Sequence, residues 1–282
     1  MANTHFVVMR GAKETNPKDA GPNQLGQRDA ETRGPLLTTV ALKKHFDGTK
    51  AVDSVSLSIF GRTIVSLIGP NGAGKTTLFN VVTGFLPPDI GRVFFEGRDV
   101  THMAAFRRAR LGMGRTFQEM RLIRRLSALE NVWLALPNQR GETVIGALLG
   151  LHEREEKRRR AEAMRWLEYV GIAETANQLA GELSYGQQKL LTVGCCLGMG
   201  AKLLLLDEPV AGVNPALVDR TLELLERLRH EEGKTIVLIE HNMDAVMRIS
   251  ERVVAMDEGR IIADGTPEEV RESAAVIEAY LS

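Results

Sequence analysis

The sequence predicts an α/β fold: a parallel-sheet core covered by helices, with an antiparallel β subdomain and a helical subdomain attached. Three observations predict it. First, Gly69-Pro70-Asn71-Gly72-Ala73-Gly74-Lys75-Thr76 has the pattern G-x-x-x-x-G-K-[ST] of a phosphate-binding loop, with a β-rich apolar segment before it and a helix start after it. Second, β-type and helix-type segments alternate through the last third of the chain, which argues for parallel strands joined by helices. Third, Leu203-Leu204-Leu205-Leu206 is an apolar run that ends in Asp207 and Glu208. A buried parallel strand of this kind delivers carboxylates to the ligand-binding edge of its sheet.

The elements follow in order. Residues 1–35 are rich in Gly, Pro, Asn, Gln and charge, and predict a disordered polar tail. Order begins near Leu36, with a strand over 36–40. Residues 51–59 alternate apolar and polar at period two, the pattern of a half-buried strand. The strand over 63–68 leads into the phosphate loop, and the helix behind the loop stops at Gly84. Residues 86–91 read as a turn, and 92–100 as strand, glycine turn and strand start. Ser127-Ala128-Leu129-Glu130 is a capping box that opens a helix ended by Pro137. A long helix over 152–170 has a strongly charged first half, a solvated face. Together these place a helical subdomain at about 119–185 within a domain of 36–282. Strands at 203–206, 235–239, 252–256 and 261–263 then alternate with helices at 216–231, 242–250 and 267–272.

Composition bounds the function. At 282 residues, 44% hydrophobic and 26% charged, the chain has the make-up of a soluble globular protein with a substantial core. Lys plus Arg and Asp plus Glu both number 36, so no general attraction to nucleic acid or to an anionic membrane follows. The longest apolar run, within 143–151, is short and broken by Gly146 and Gly150, so no membrane-crossing segment or leader is expected. Cys195 and Cys196 are adjacent in an apolar helical stretch and read as buried small hydrophobes.

The chemistry starts at the loop. Its glycines let backbone N–H groups wrap phosphate oxygens, Lys75 reaches the β- and γ-phosphates, and the Thr76 hydroxyl holds Mg2+. Asp207 fits a second Mg2+ ligand. Glu208 fits a group that orients an attacking water or takes its proton. Ser184, in Leu183-Ser184-Tyr185-Gly186-Gln187-Gln188, is a helix N-cap with a further set of N–H groups behind it.

The ordered set of phosphate loop, Gln after a strand, Ser-x-Gly-Gln, apolar-Asp-Glu and then His resembles the ATP-binding cassette (ABC) ATPase family over residues 36–282. The resemblance implies a P-loop ABC cassette fold. It also implies ATP as substrate, Mg2+ as cofactor, and nucleotide held by residues 69–77, Thr77 included. Gln118, in Arg115-Thr116-Phe117-Gln118, resembles the glutamine that senses Mg2+ and couples the site to a membrane partner. Glu208 resembles the catalytic base, and His241 the switch histidine at the γ-phosphate. Phe46 stands where the family stacks a ring on adenine, with a core Phe as the alternative. Ser184, Gly186 and Gln187 resemble the signature residues that bind ATP held by the opposite subunit. Two strings depart from the family. Tyr185 replaces the first Gly of Leu-Ser-Gly-Gly-Gln, and Ala211-Gly212-Val213-Asn214 replaces Ser-Ala-Leu-Asp, so that Asn214 keeps hydrogen-bonding capacity without charge.

A narrower resemblance, carried by Leu-Ser-Tyr-Gly-Gln, 114–118, 211–215, 240–243, 264–269 and Ala279-Tyr280-Leu281, is to the ATP-binding subunits of branched-chain amino acid importers. Subunits for urea and amides and for lipopolysaccharide export share much of it. The resemblance implies a second ATP-binding subunit, identical or paralogous, integral membrane permeases and, indirectly, a substrate-binding protein. It implies a place on the cytoplasmic face of the inner membrane. ABC proteins acting on DNA or ribosomes fit less well, because the chain is neutral, holds one cassette and has no sustained heptads. A non-hydrolysing cassette fits less well because Lys75, Asp207, Glu208 and His241 are all present. Residues 119–123 are the expected docking region for a permease helix; the apolar stretch 144–149 either is buried within the helical subdomain, the favoured reading, or lines the same region.

Overall fold

The computed structural model describes residues 34–118, 120–137 and 151–281, without the side chains of 151–154. The expected tail therefore lies outside the described residues except at its last two positions, as do Glu119 and the apolar stretch 144–149.

The strands form two sheets. The larger has six strands in the order β10-β9-β3-β8-β7-β6. These are β3 (Ile64–Ile68), β6 (Met113–Arg115), β7 (Leu203–Asp207), β8 (Thr235–Ile239), β9 (Arg252–Asp257) and β10 (Arg260–Gly265). From β9 through β6 every pairing is parallel, and β10 turns back antiparallel on β9. The reason for the unbroken apolar runs is then visible. Leu203 and Leu205 point into one core with Val65, Leu67, Val237 and Ile239, whereas Leu204 and Leu206 point into the other with Ile64, Ile236 and Leu238. A strand buried on both faces has no polar side to alternate with.

The second sheet is antiparallel, in the order β2-β1-β4-β5, from β1 (Leu37–Phe46), β2 (Thr49–Ile59), β4 (Ile90–Phe95) and β5 (Arg98–Asp99). It closes the first core over α1 (Lys75–Thr83). β1 runs six residues beyond the expected strand end. The register shifts after Thr39 and Ala41 takes φ 45°, which breaks the period-two pattern that sequence alone can follow. β4 likewise begins at Ile90, inside the expected turn, because Ile90 pairs with Lys43 of that extension.

The other core is helical. α3 (Ala128–Ala135), α4 (Leu151–Tyr169), α5 (Tyr185–Gly198) and α6 (Pro215–His230) pack on it through Val132, Leu167, Leu191, Leu197 and Leu225, all buried. The Ser127 capping box forms as expected, and the expected N-cap Ser184 forms a second box with Gln187. Cys196 is buried at α5, where its thiol is pushed up to about 12 by burial; burial raises Cys195 as well, so both stay protonated at neutral pH. Four further helices stand among the described residues: α2 (Ala105–Leu111), α7 (Met243–Ile249), α8 (Pro267–Arg271) and α9 (Ala274–Leu281). No helix among the described residues is long and apolar enough to cross a membrane.

Candidate functional site

The site lies where β3, β8 and β7 end together. Leu67 pairs with Ile239, and Ile239 pairs with Asp207, so the residues that follow each strand leave the sheet at one edge. Open parallel sheets bind ligands at such carboxyl ends.

The loop from Gly69 to Gly74 connects β3 to α1. Gly69, Gly72 and Gly74 have φ of 143°, 86° and 96°. At Gly69 a Cβ would lie 2.0 Å from the Met256 carbonyl oxygen, and at Gly74 2.0 Å from that of Ala51. Glycine is required at both by backbone conformation and by space. Gly74 is the N-cap of α1 and offers no side chain, and the first turn carries no acid. The leading N–H groups of α1 are thus left without a side-chain partner, in a helix end whose dipole favours an anion. By contrast α3, α5, α6 and α8 each have a side-chain cap, from Ser127, Ser184, Asn214 and Thr266.

Lys75 is buried. Its Nζ donates to the carbonyls of Gly69 (2.7 Å) and Pro70 (2.9 Å), so the ammonium is held across the mouth of the loop. Burial pulls it below the usual lysine range, while Glu208 and Asp207 pull the other way. Asn71, Gly72 and Thr76 are exposed, Pro70 and Thr77 are half-buried, and Ala73 is buried with its carbonyl accepting from the Gly259 N–H.

Asp207 is buried at the end of β7. Burial raises its carboxyl; the Arg115 guanidinium, 3.7 Å away, opposes that. Glu208 has φ 51°, a left-handed conformation that non-glycine residues rarely adopt and that costs on the order of 1 kcal/mol or more. Three contacts hold it there: its N–H donates to the Ile239 carbonyl (2.9 Å), its carbonyl accepts from Lys189 Nζ (2.6 Å), and its Oε1 lies 3.3 Å from His241 Nε2. His241 follows Glu240, a carboxylate only 1% exposed that accepts from the N–H groups of Val210 and His241. Glu240 therefore ties the end of β8 to the segment after Glu208.

Gln118 follows β6 and is exposed. Phe46 is 42% exposed at the β1–β2 hairpin with Lys44 Nζ 5.5 Å from its ring centre, so it is not a core residue. Ser184, Gly186 and Gln187 open α5. Ser184 and Gln187 cap each other, and Gly186 is buried against Leu217 of α6. No hydrogen bond or ion pair links these three to the phosphate loop among the described residues. Asn214 caps α6 by accepting from the Leu217 N–H (2.9 Å).

Several residues at the site escape sequence reasoning. The side chain of Arg115 is only 4% exposed, donates to Asn80 Oδ1 (2.7 Å) and lies 4.8 Å from the Phe117 ring centre. Burial brings its pKa down to about 10. Lys189 reaches from α5 to the carbonyls of Glu208 and Ala211. A lone Arg or Lys in a helix or strand carries no signal of such a partner.

The oxygen donors at this edge suit a hard divalent cation. Thr76 supplies a hydroxyl, Asp207 a carboxylate and Gln118 an amide oxygen, and Mg2+ takes few protein ligands beside substrate phosphates and water.

A family model described as "ABC transporter" matches residues 52–211, and one described as "Branched-chain amino acid ATP-binding cassette transporter" matches residues 260–281. The high-affinity branched-chain amino acid transport ATP-binding protein BraF of Pseudomonas aeruginosa is 40% identical over 249 residues, 88% of this chain and 98% of its own. LivG of Salmonella typhimurium, described in the same words, is 42% identical over the same shares. The ADP conformation of MJ1267, an ATP-binding cassette of an ABC transporter, superposes with a TM-score of 0.75 at 34% identity, over 88% of this chain and 99% of its own. Phosphate loop, carboxylates and histidine on one sheet edge, together with matches that run nearly the full length of these relatives, settle the family: the chain is an ATP-binding cassette and belongs to the ABC transporter family.

Proposed function

We infer that this chain is the ATP-hydrolysing subunit of an ABC importer that takes up branched-chain or related hydrophobic amino acids. The observation that carries the ATPase reading is the Glu208–His241 contact at 3.3 Å, beside an uncapped helix end and a lysine held on loop carbonyls. The names of BraF and LivG, and the match over 260–281, support the substrate class.

ATP enters with its phosphates in the loop formed by Gly69, Pro70, Asn71, Gly72, Ala73, Gly74, Lys75, Thr76 and Thr77, and its adenine against Phe46. Lys75 exchanges two neutral carbonyl acceptors for anionic phosphate oxygens, so that both partners of the contact are charged. Thr76, Asp207 and Gln118 hold Mg2+, which offsets charge on the β- and γ-phosphates when bound. Glu208 orients the attacking water and takes its proton; His241 holds Glu208 and meets the γ-phosphate. Ser184, Gly186 and Gln187 serve the ATP of a second cassette, identical or paralogous, so that two ATP molecules are held between two subunits. Hydrolysis reopens the pair, and Gln118 passes the motion to permeases on the cytoplasmic face of the inner membrane, which a substrate-binding protein supplies.

Lys75→Ala tests the reading. The loop is built from backbone groups, so the fold should survive, ATP affinity should fall about a hundredfold, in keeping with the loss of a charge-assisted pair, and turnover should vanish. Calorimetric titration with ATP and a hydrolysis assay check it. Unchanged affinity and turnover would end the phosphate-loop assignment.

A further inference from the structure

The C-terminal helix α9 touches the phosphate loop. Gly69 N–H donates to the Tyr280 hydroxyl oxygen at 2.9 Å, across 211 positions of chain. The same peptide unit's neighbour is equally committed: the Gly69 carbonyl accepts from Lys75 Nζ at 2.7 Å. Gly69 is also hemmed in on its third side, where a Cβ would meet the Met256 carbonyl of β9 at 2.0 Å. One residue earlier, Ile68 is fully buried in an apolar cluster with Val276 of α9, Val253 and Ala255 of β9, and Val270 of α8. The entry to the loop is thus fixed by α9 twice, by apolar packing at Ile68 and by a hydrogen bond at Gly69.

We propose that Tyr280 is a positioning residue for nucleotide binding: its hydroxyl sets the first peptide of the phosphate loop, and through the Gly69 carbonyl it sets the resting place of Lys75. Docking of α9 and loading of the loop are then linked, and linkage is reciprocal, so nucleotide tightens the hold on α9 as much as α9 tightens the hold on nucleotide. The other face of α9 gives the linkage an outlet. Ile277 and Leu281 are 49% and 82% exposed, so the helix rests on the cassette by one side only.

The inference rests on the ATP-binding reading above, and the test separates the two. Tyr280→Phe keeps the ring and removes one hydroxyl. Calorimetry on the full chain should show ATP and ADP binding weakened about two- to tenfold, the range of one net hydrogen bond. Lys75→Ala is measured beside it. If Lys75→Ala binds ATP normally, the phosphate-loop reading falls; if Lys75→Ala is weakened and Tyr280→Phe is not, only this inference falls. A second readout distinguishes positioning from plain structural support. Amide hydrogen exchange across 274–281 should slow when ATP is added to the wild type, and should respond less in Tyr280→Phe. A lowered melting temperature with unchanged nucleotide affinity, or exchange in α9 that ignores ATP in the wild type, overturns the proposal.

Discussion

Single residues decide the site through contacts that composition does not reveal. Arg108 is the clearest case. It is only 1% exposed, yet its guanidinium donates to the carbonyls of Val81 and Val82 at 2.8 and 2.6 Å, Thr101 at 2.8 Å and Met103 at 2.9 Å. The first two are last-turn carbonyls of α1, whose other end faces the phosphates. A cation there complements the helix dipole and adds a second donor to the Val81 carbonyl, which also accepts from the Gly84 N–H at 3.2 Å. Burial brings its pKa down to about 10, so it remains charged at neutral pH. Arg108→Ala should therefore lower the unfolding free energy by about 3 kcal/mol or more, since several buried acceptors are left bare. Denaturant titration checks this; a loss under about 1 kcal/mol would mean that water replaces the guanidinium without penalty. Glu208 shows the same rule in the site itself. Its left-handed backbone is held by Lys189 and Ile239, which turn its carboxylate toward His241.

At the scale of elements, legibility followed periodicity and capping. The parallel strands were readable because burial on both faces leaves uniform apolar runs, and the helices after Ser127 and Ser184 because capping boxes are local. α2 was not readable. Its segment Ala105–Leu111 is rich in arginine, and one of those arginines, Arg108, is the buried side chain. Polar residues that face inward defeat any pattern built on hydrophobicity. α9 was missed for a related reason, since it lays only Val276 and Ala279 into the core and exposes Ile277. Of the candidate site, the sequence marked the groups that depart from background at a fixed spacing: the loop, Asp207, Glu208 and Ser184. Gln118, Phe46 and His241 rested on family likeness, because a single Gln, Phe or His after a strand has no meaning alone. The contacts of Arg115, Lys189, Glu240 and Tyr280 stayed hidden, because each is made across a distance in sequence that only the folded chain closes.

For the whole molecule, the proposal is a cassette that drives a membrane partner. Within the expected docking region, Leu122 is half-buried against the helical core, so charging it would disturb folding as well as docking. Ile123 is the better probe. It is 52% exposed, while its backbone is held to α3 by Asn131, which accepts from its N–H at 2.9 Å and donates to its carbonyl at 3.2 Å. Ile123→Glu should leave basal ATP hydrolysis and melting temperature unchanged while release from permease-containing membranes rises and uptake of hydrophobic amino acids falls severalfold. Full uptake by this variant would place the docking surface elsewhere. The central claim, ATP hydrolysis at this sheet edge with Glu208 as base, is tested most directly by single-turnover hydrolysis in Glu208→Gln, with ATP affinity measured on the same sample. Binding like the wild type is expected, with hydrolysis slower by about two to four orders of magnitude, the usual share of a general base. Hydrolysis near the wild-type rate with ATP bound would contradict it.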